Sequence, residues 1–147
     1  MSVSQYAYPL LDLLTRYQTP AIISATHELG VFAALGSGSA DLPALACRLG
    51  VPERSLGILL RSCVALGLLE CEHGRFSNGP LARDVLVPGS PGYIGRLVDK
   101  EAFFYRAWAN LAECVRTDTA ALAPIQRRAR QEPLAADLPR RHDRVVH

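Results

Sequence analysis

Gly50-Val51-Pro52 is the tightest constraint in the chain. A glycine takes the left-handed backbone that ends a helix, and Pro52 keeps Val51 out of the helical region. The chain must turn there, and helical patterns lie on both sides. Upstream, Leu42, Leu45, Ala46 and Leu49 recur at i, i+3, i+4 and i+7, with Asp41 placed as N-cap and Gly50 as the stop. Downstream, Leu56, Leu59, Leu60 and Cys63 share one face of a helix from about Glu53 to Leu66, ended by Gly67. The stretch Leu68–Glu72 then reads as a strand, His73-Gly74 as a tight turn and Arg75-Phe76-Ser77 as the return strand. Helix, turn, helix and hairpin in this order specify a winged helix. The fold class expected is mainly α, with one β-hairpin and flanking helices.

Those flanking segments are apolar and helical. Residues 1–8 read as loose. Leu10, Leu11, Leu13, Leu14 and Tyr17 make a short helix that is apolar nearly all round, which in a small domain implies burial against a partner chain. Thr19-Pro20 reads as N-cap and N1 of a helix over Ala21–Leu29. Val31–Leu35 forms a further apolar turn, and Gly36-Ser37-Gly38-Ser39 a link. Beyond the hairpin a short helix covers Leu81–Leu86. Ser90-Pro91 opens a long, broken helix from Gly92 to Arg116, and Pro124 opens a last helical stretch, Ile125–Arg141, interrupted at Pro133 and Pro139.

Charge argues against the usual use of such a module. Residues 1–116 hold ten Lys/Arg and ten Asp/Glu, so the +2 net charge of the 147-residue chain lies beyond them. Arg54 and Arg61 on the second helix could reach DNA, but Glu53 heads that helix. Glu70 and Glu72 lie beside Arg75 on the wing, and a DNA-reading face is normally basic. A winged helix serving as scaffold fits the charge better than a DNA-binding regulator. No apolar run reaches the roughly 18 residues of a membrane span, and Met1-Ser2-Val3-Ser4-Gln5 lacks a basic signal-peptide start. The four dispersed cysteines (47, 63, 71, 114) read as reduced, mostly buried thiols, giving a cytoplasmic protein.

Chemistry-bearing motifs are few. Cys71-x-His73 lacks two further ligands at metal-binding spacing. There is no nucleophile elbow, and His27 in an apolar helix reads as a core or interface histidine. Gly36-Ser37-Gly38 is the one G-x-G; it lacks the third glycine and a βαβ context, so no cofactor-binding or catalytic residue is assigned. What stands out is Phe103-Phe104-Tyr105 with Trp108. Phe104, Trp108 and Leu111 share a stripe expected in the core, while Phe103 and Tyr105 point elsewhere. The surplus suggests a dimer seam or a ligand pocket. Asp99 and Arg106 lie near it, as solvated charges or as groups that orient a planar ligand. A stand-alone binder of small aromatic molecules is therefore a third reading.

Several runs resemble the N-terminal domain of small-molecule, S-adenosylmethionine-dependent O-methyltransferases of the plant phenolic and bacterial polyketide type. They are Thr19-Pro20 with Glu28-Leu29-Gly30-Val31-Phe32, Leu45–Val51, Leu59–Leu69, Phe76–Ala82 and Tyr105–Leu111. The likeness covers about Leu10 to Thr117 and continues more weakly to about His142. It implies a winged-helix dimerisation domain over 1–117 that does not bind DNA and forms a homodimer through its N-terminal helices. It implies an acceptor-substrate lid in which Val98, Asp99, Phe103 and Trp108 face a small aromatic or polyketide ligand. Residues 118–147 would lead towards the family's Rossmann-like catalytic domain, which carries the S-adenosylmethionine site and is not part of this sequence. Any catalysis would then need a methyltransferase partner.

Overall fold

The computed structural model describes residues 4–120, which fall into two compact units divided between Ala102 and Phe103. The expected helix over 125–141 and most of the expected tail over 118–147 lie outside the described residues. Among those described, no helix is long and apolar enough to cross a membrane.

The first unit opens with α1, Ser4–Thr15. The helix thus begins within the residues expected to be loose. Pro9 stands in its second turn: the ring removes one backbone donor, but its fixed φ suits a helix. Helix α2 covers Gln18–Glu28 and carries no side-chain cap. Thr19 is therefore not the N-cap and Pro20 not the first helical residue. Pro20 still lies in the first turn, where backbone N–H groups have no helical partner to lose. Gly30, at φ 76°, turns the chain into α3, Val31–Leu35.

The winged helix follows as expected, with one addition. Strand β1, Ser39–Asp41, begins at the last residue of the expected link and ends at the expected N-cap. It pairs antiparallel with β3, Arg75–Asn78, setting Ala40 opposite Phe76. On the other side β3 pairs with β2, Leu69–Glu72, so the sheet order is β1-β3-β2. The turn between β2 and β3 has positive φ at both His73 (50°) and Gly74 (77°), the backbone whose twist suits a two-residue hairpin. Asp41 ends β1 and caps α4, Leu42–Leu49, its Oδ1 accepting the Ala44 N–H at 2.9 Å. Gly50, at φ 67°, and Pro52 lead into α5, Glu53–Ala65.

The core lies where α3, α4 and α5 meet the sheet. Phe32, Leu45, Leu56, Leu60 and Leu69 are its largest fully buried apolar side chains. Two polar side chains, Thr26 and Asn78, are buried as completely. Asn78 is 1 % exposed and donates both amide hydrogens, to the carbonyls of Phe32 (3.0 Å) and Gly36 (2.9 Å). It ties the end of α3 to the last residue of β3.

After α6, Pro80–Val85, the Ser90-Pro91 signal does not start a helix. The Ile94 N–H bonds back to the Val85 carbonyl at 2.9 Å, holding the chain against the end of α6. Helix α7 begins only at Gly95 and runs to Trp108. In the second unit the helical path breaks at Ala109-Asn110 and resumes as α8, Leu111–Thr117, which agrees with a long, broken helix.

Candidate functional site

Helix α1 offers an apolar surface and buries none of it. Every side chain described on it, Ala7 to Thr15, is exposed. Leu10, Leu13, Leu14 and the following Tyr17 repeat at i, i+3, i+4 and i+7, and each is more than half exposed. Tyr8 and Leu11 flank that stripe, at 75 % and 54 %. Single exposed apolar residues are ordinary, but six within ten positions form a contiguous patch of the kind that marks an interaction surface. Asp12 on this helix pairs with Arg16 just past its end at 2.7 Å.

The winged helix offers no comparable basic surface. Of the arginines on the winged helix, Arg48, Arg54, Arg61 and Arg75, two are engaged within the domain. Arg48 donates to the Ala34 carbonyl; Arg75 donates to the Ser39 hydroxyl and carbonyl, 4.0 Å from the Asp41 carboxylate. Ser55 and Ser62 on α5 turn their hydroxyls back to the carbonyls of Pro52 and Ile58. Glu70 and Glu72 stand exposed on the wing.

The four residues expected to face an acceptor lie on α7. In the first unit, Val98 is half-buried and packs on the core, and the exposed Asp99 places Oδ1 3.4 Å from His27 Nε2. The His27 side chain is only 14 % exposed, and the Tyr93 ring lies 6.4 Å from it, centroid to centroid. Gly95 makes that cluster possible, since a Cβ there would overlap the Tyr93 hydroxyl. His27 and Tyr93 were not among the expected site residues. The lone histidine in an apolar helix was the sequence signal for the first, and none pointed to the second.

In the second unit, Phe103 is 42 % exposed and stacks edge-on with the half-buried Phe104 at 5.9 Å. Trp108 is 63 % exposed and Leu111 45 %, so the expected core stripe through them is not buried. The buried positions are Ala107 near the end of α7 and Cys114 on α8. The small side chains turn in and the aromatic mass turns out.

Two of the four cysteines, Cys63 and Cys114, are buried; Cys47 and Cys71 are exposed, so the thiols are not mostly buried. Burial pushes the Cys63 thiol up, and the Thr26 hydroxyl 3.1 Å away offsets part of that. The Thr26 hydroxyl also lies 2.7 Å from the Ile22 carbonyl. A disulfide-exchange reagent titrated at pH 8 is expected to label Cys47 and Cys71 rapidly and Cys63 only on unfolding. Rapid labelling of Cys63 in the native protein would contradict this burial. Among the described residues no cluster of histidine, cysteine, aspartate and glutamate could hold a metal. The Gly36-Ser37-Gly38 loop is closed by its own bonds: the Gly38 N–H reaches the Leu35 carbonyl, and the Gly36 carbonyl takes the Asn78 amide.

Comparison with known proteins adds a family to this geometry. Residues 11–88 match the model of the O-methyltransferase dimerisation domain. A 3-hydroxy-5-methyl-1-naphthoate 3-O-methyltransferase of Streptomyces sahachiroi is 44 % identical over 110 residues, covering 74 % of this chain and 32 % of that protein. An N,N-dimethyltransferase of Streptomyces rimosus, OxyT, is 35 % identical over 106 residues, covering 71 % and 31 %. Human N-acetylserotonin methyltransferase, solved in complex with SAM, superposes with a TM-score of 0.68 at 30 % identity, covering 79 % of this chain and 36 % of that one. The chain spans about a third of the length of the curated relatives it matches.

Proposed function

This chain belongs to the O-methyltransferase dimerisation-domain family, and on that footing we propose that it pairs with a second copy through its N-terminal helices. In doing so it forms the acceptor-side lid of an S-adenosylmethionine-dependent methyltransferase of secondary metabolism. The observation that carries the pairing is the exposed apolar surface of α1. A partner copy supplies what a single winged helix does not: an apolar surface of matching length, repeated by symmetry. In this reading residues 118–147 lead from the dimerisation domain towards a domain that holds the cofactor and performs the transfer. The described residues do not fit an adenosyl cofactor, because the single Gly-x-Gly loop is closed by its own bonds and leads into a three-residue strand. No step of the transfer is assigned to them.

On the acceptor side, Val98, Asp99, Phe103 and Trp108 face the substrate. The exposed rings of Phe103 and Trp108 offer flat apolar contact, and Asp99 a hydrogen-bond acceptor. The relative from S. sahachiroi, named for a hydroxynaphthoate, supports an aromatic hydroxy acid of similar size as the acceptor class. Light scattering on micromolar protein tests the pairing: the expected mass is twice the 16.0 kDa of one chain, and a clean monomer would overturn it. Titrating with a hydroxynaphthoate while following fluorescence from Trp108, the one tryptophan in the chain, tests the lid. Saturable quenching is expected, and an unchanged spectrum would remove the acceptor role.

A further inference from the structure

The outer side of α5 holds a feature that neither dimerisation nor the lid uses. An open groove of about 430 Å³ lies between α4 and α5, with Leu42, Gly57 and Ile58 as its apolar lining and Glu53, Arg54 and Arg61 as its charged lining. Gly57 gives it depth. A Cβ there would come within 3.1 Å of a Leu42 methyl and 3.5 Å of an Arg61 guanidinium nitrogen, so Arg61 lies back over the glycine. Ile58 is 51 % exposed, whereas Leu56, Leu60 and Cys63 on the opposite face are buried. Arg54, Ile58 and Arg61 stand at i, i+4 and i+7 and form one stripe, with the arginines two turns apart, about 10 Å along the axis. Among the described residues neither Arg54 nor Arg61 makes a hydrogen bond or ion pair, whereas Arg16, Arg48, Arg75, Arg83 and Arg116 all do.

We propose that this groove docks an acidic amphipathic helix of another protein. Two carboxylates spaced two turns apart meet Arg54 and Arg61, and an apolar side chain between them rests on Gly57 and Ile58. Glu53 sets the direction: it favours a basic residue beyond the carboxylate on Arg54 and opposes a third acid there. Charge complementarity selects this occupant. A nucleic acid would bring phosphate to Glu53 as well as to the arginines. A second copy of α1 would bring one acid, Asp12, which already holds Arg16. The site lies on α4 and α5, so its test does not depend on the pairing through α1.

The probe is a lactam-bridged, fluorescein-labelled helical peptide. It carries Glu at two positions two turns apart, Leu between them and Lys one turn beyond the first Glu. Anisotropy with the full chain at low salt is expected to give saturable binding. Binding should weaken at least about tenfold for Arg54→Glu/Arg61→Glu and for Ile58→Asp, both on an exposed face and both expected to melt like the parent. A peptide with its two Glu replaced by Lys should bind the charge-reversed variant better than it binds the parent. Absence of saturable binding, equal binding by the reversed variant, or displacement of the peptide by a DNA duplex that binds more tightly would each overturn the proposal.

Discussion

Leu10→Lys combined with Leu14→Lys is expected to leave this chain monomeric at concentrations where the parent is a dimer. Both leucines lie on the exposed stripe of α1, at 56 % and 59 %. Full burial of a leucine is worth roughly 1.5–3 kcal/mol. A symmetric pair loses four leucines, each already close to half buried in the single chain, so roughly 3–6 kcal/mol of association is removed and the dissociation constant rises roughly a hundred- to ten-thousandfold. The same residues contribute nothing to the core around Phe32 and Leu60, so the fold of the single chain survives the change. Mass action separates the two effects. The parent's melting temperature should rise with protein concentration, while the variant's should not move. Sedimentation velocity together with melts at several concentrations checks this. A variant that stays dimeric would place the seam elsewhere.

The second large effect lies at Asn78. Asn78→Leu keeps the branched shape, adds bulk and removes two hydrogen bonds from the core. The Phe32 carbonyl retains a partner, since it also accepts the Gly36 N–H at 3.0 Å. The part-buried Gly36 carbonyl loses the Asn78 donor at 2.9 Å. Two lost hydrogen bonds, together with the strain of the added bulk, cost about 2–3 kcal/mol. In a domain of this size that lowers the melting temperature by roughly 10–20 °C. Calorimetry on Asn78→Leu checks it, and Asn78→Gln, which keeps the donors at a longer reach, should lose less. Equal melting of Asn78→Leu and the parent would show that the amide bridge carries no stability.

The parts of the fold legible in the sequence are those fixed by short-range chemistry. Asp41, Gly50, Pro52, Gly67 and His73-Gly74 each force or favour a local backbone, and the helix-turn-helix and hairpin appear where those residues place them. Strand β1 was not legible because backbone pairing with β3 makes it, and only Ala40 of its three residues is buried. The start of α7 was misplaced because Ser90-Pro91 is a good local helix signal, yet the tertiary bond from Ile94 to Val85 prevails over it. The apolar nature of α1 was plain from its leucines. On α7 and α8, period alone did not say which face is buried. Trp108 and Leu111 carry more apolar area than Ala107 and Cys114, yet the small residues are the buried ones. His27 was marked as unusual, while its pairing with Asp99 depends on α2 and α7 meeting, which no local pattern encodes.

The small sheet also limits how molecules of this protein can associate. Its outer strands are β1, three residues long, and β2, whose Glu70 and Glu72 stand exposed. Brevity on one margin and negative charge on the other discourage a neighbouring backbone from adding as a fourth strand. Strand addition is disfavoured at both margins, so the pairing proposed above rests on side-chain packing between helices, which can close into a finite particle.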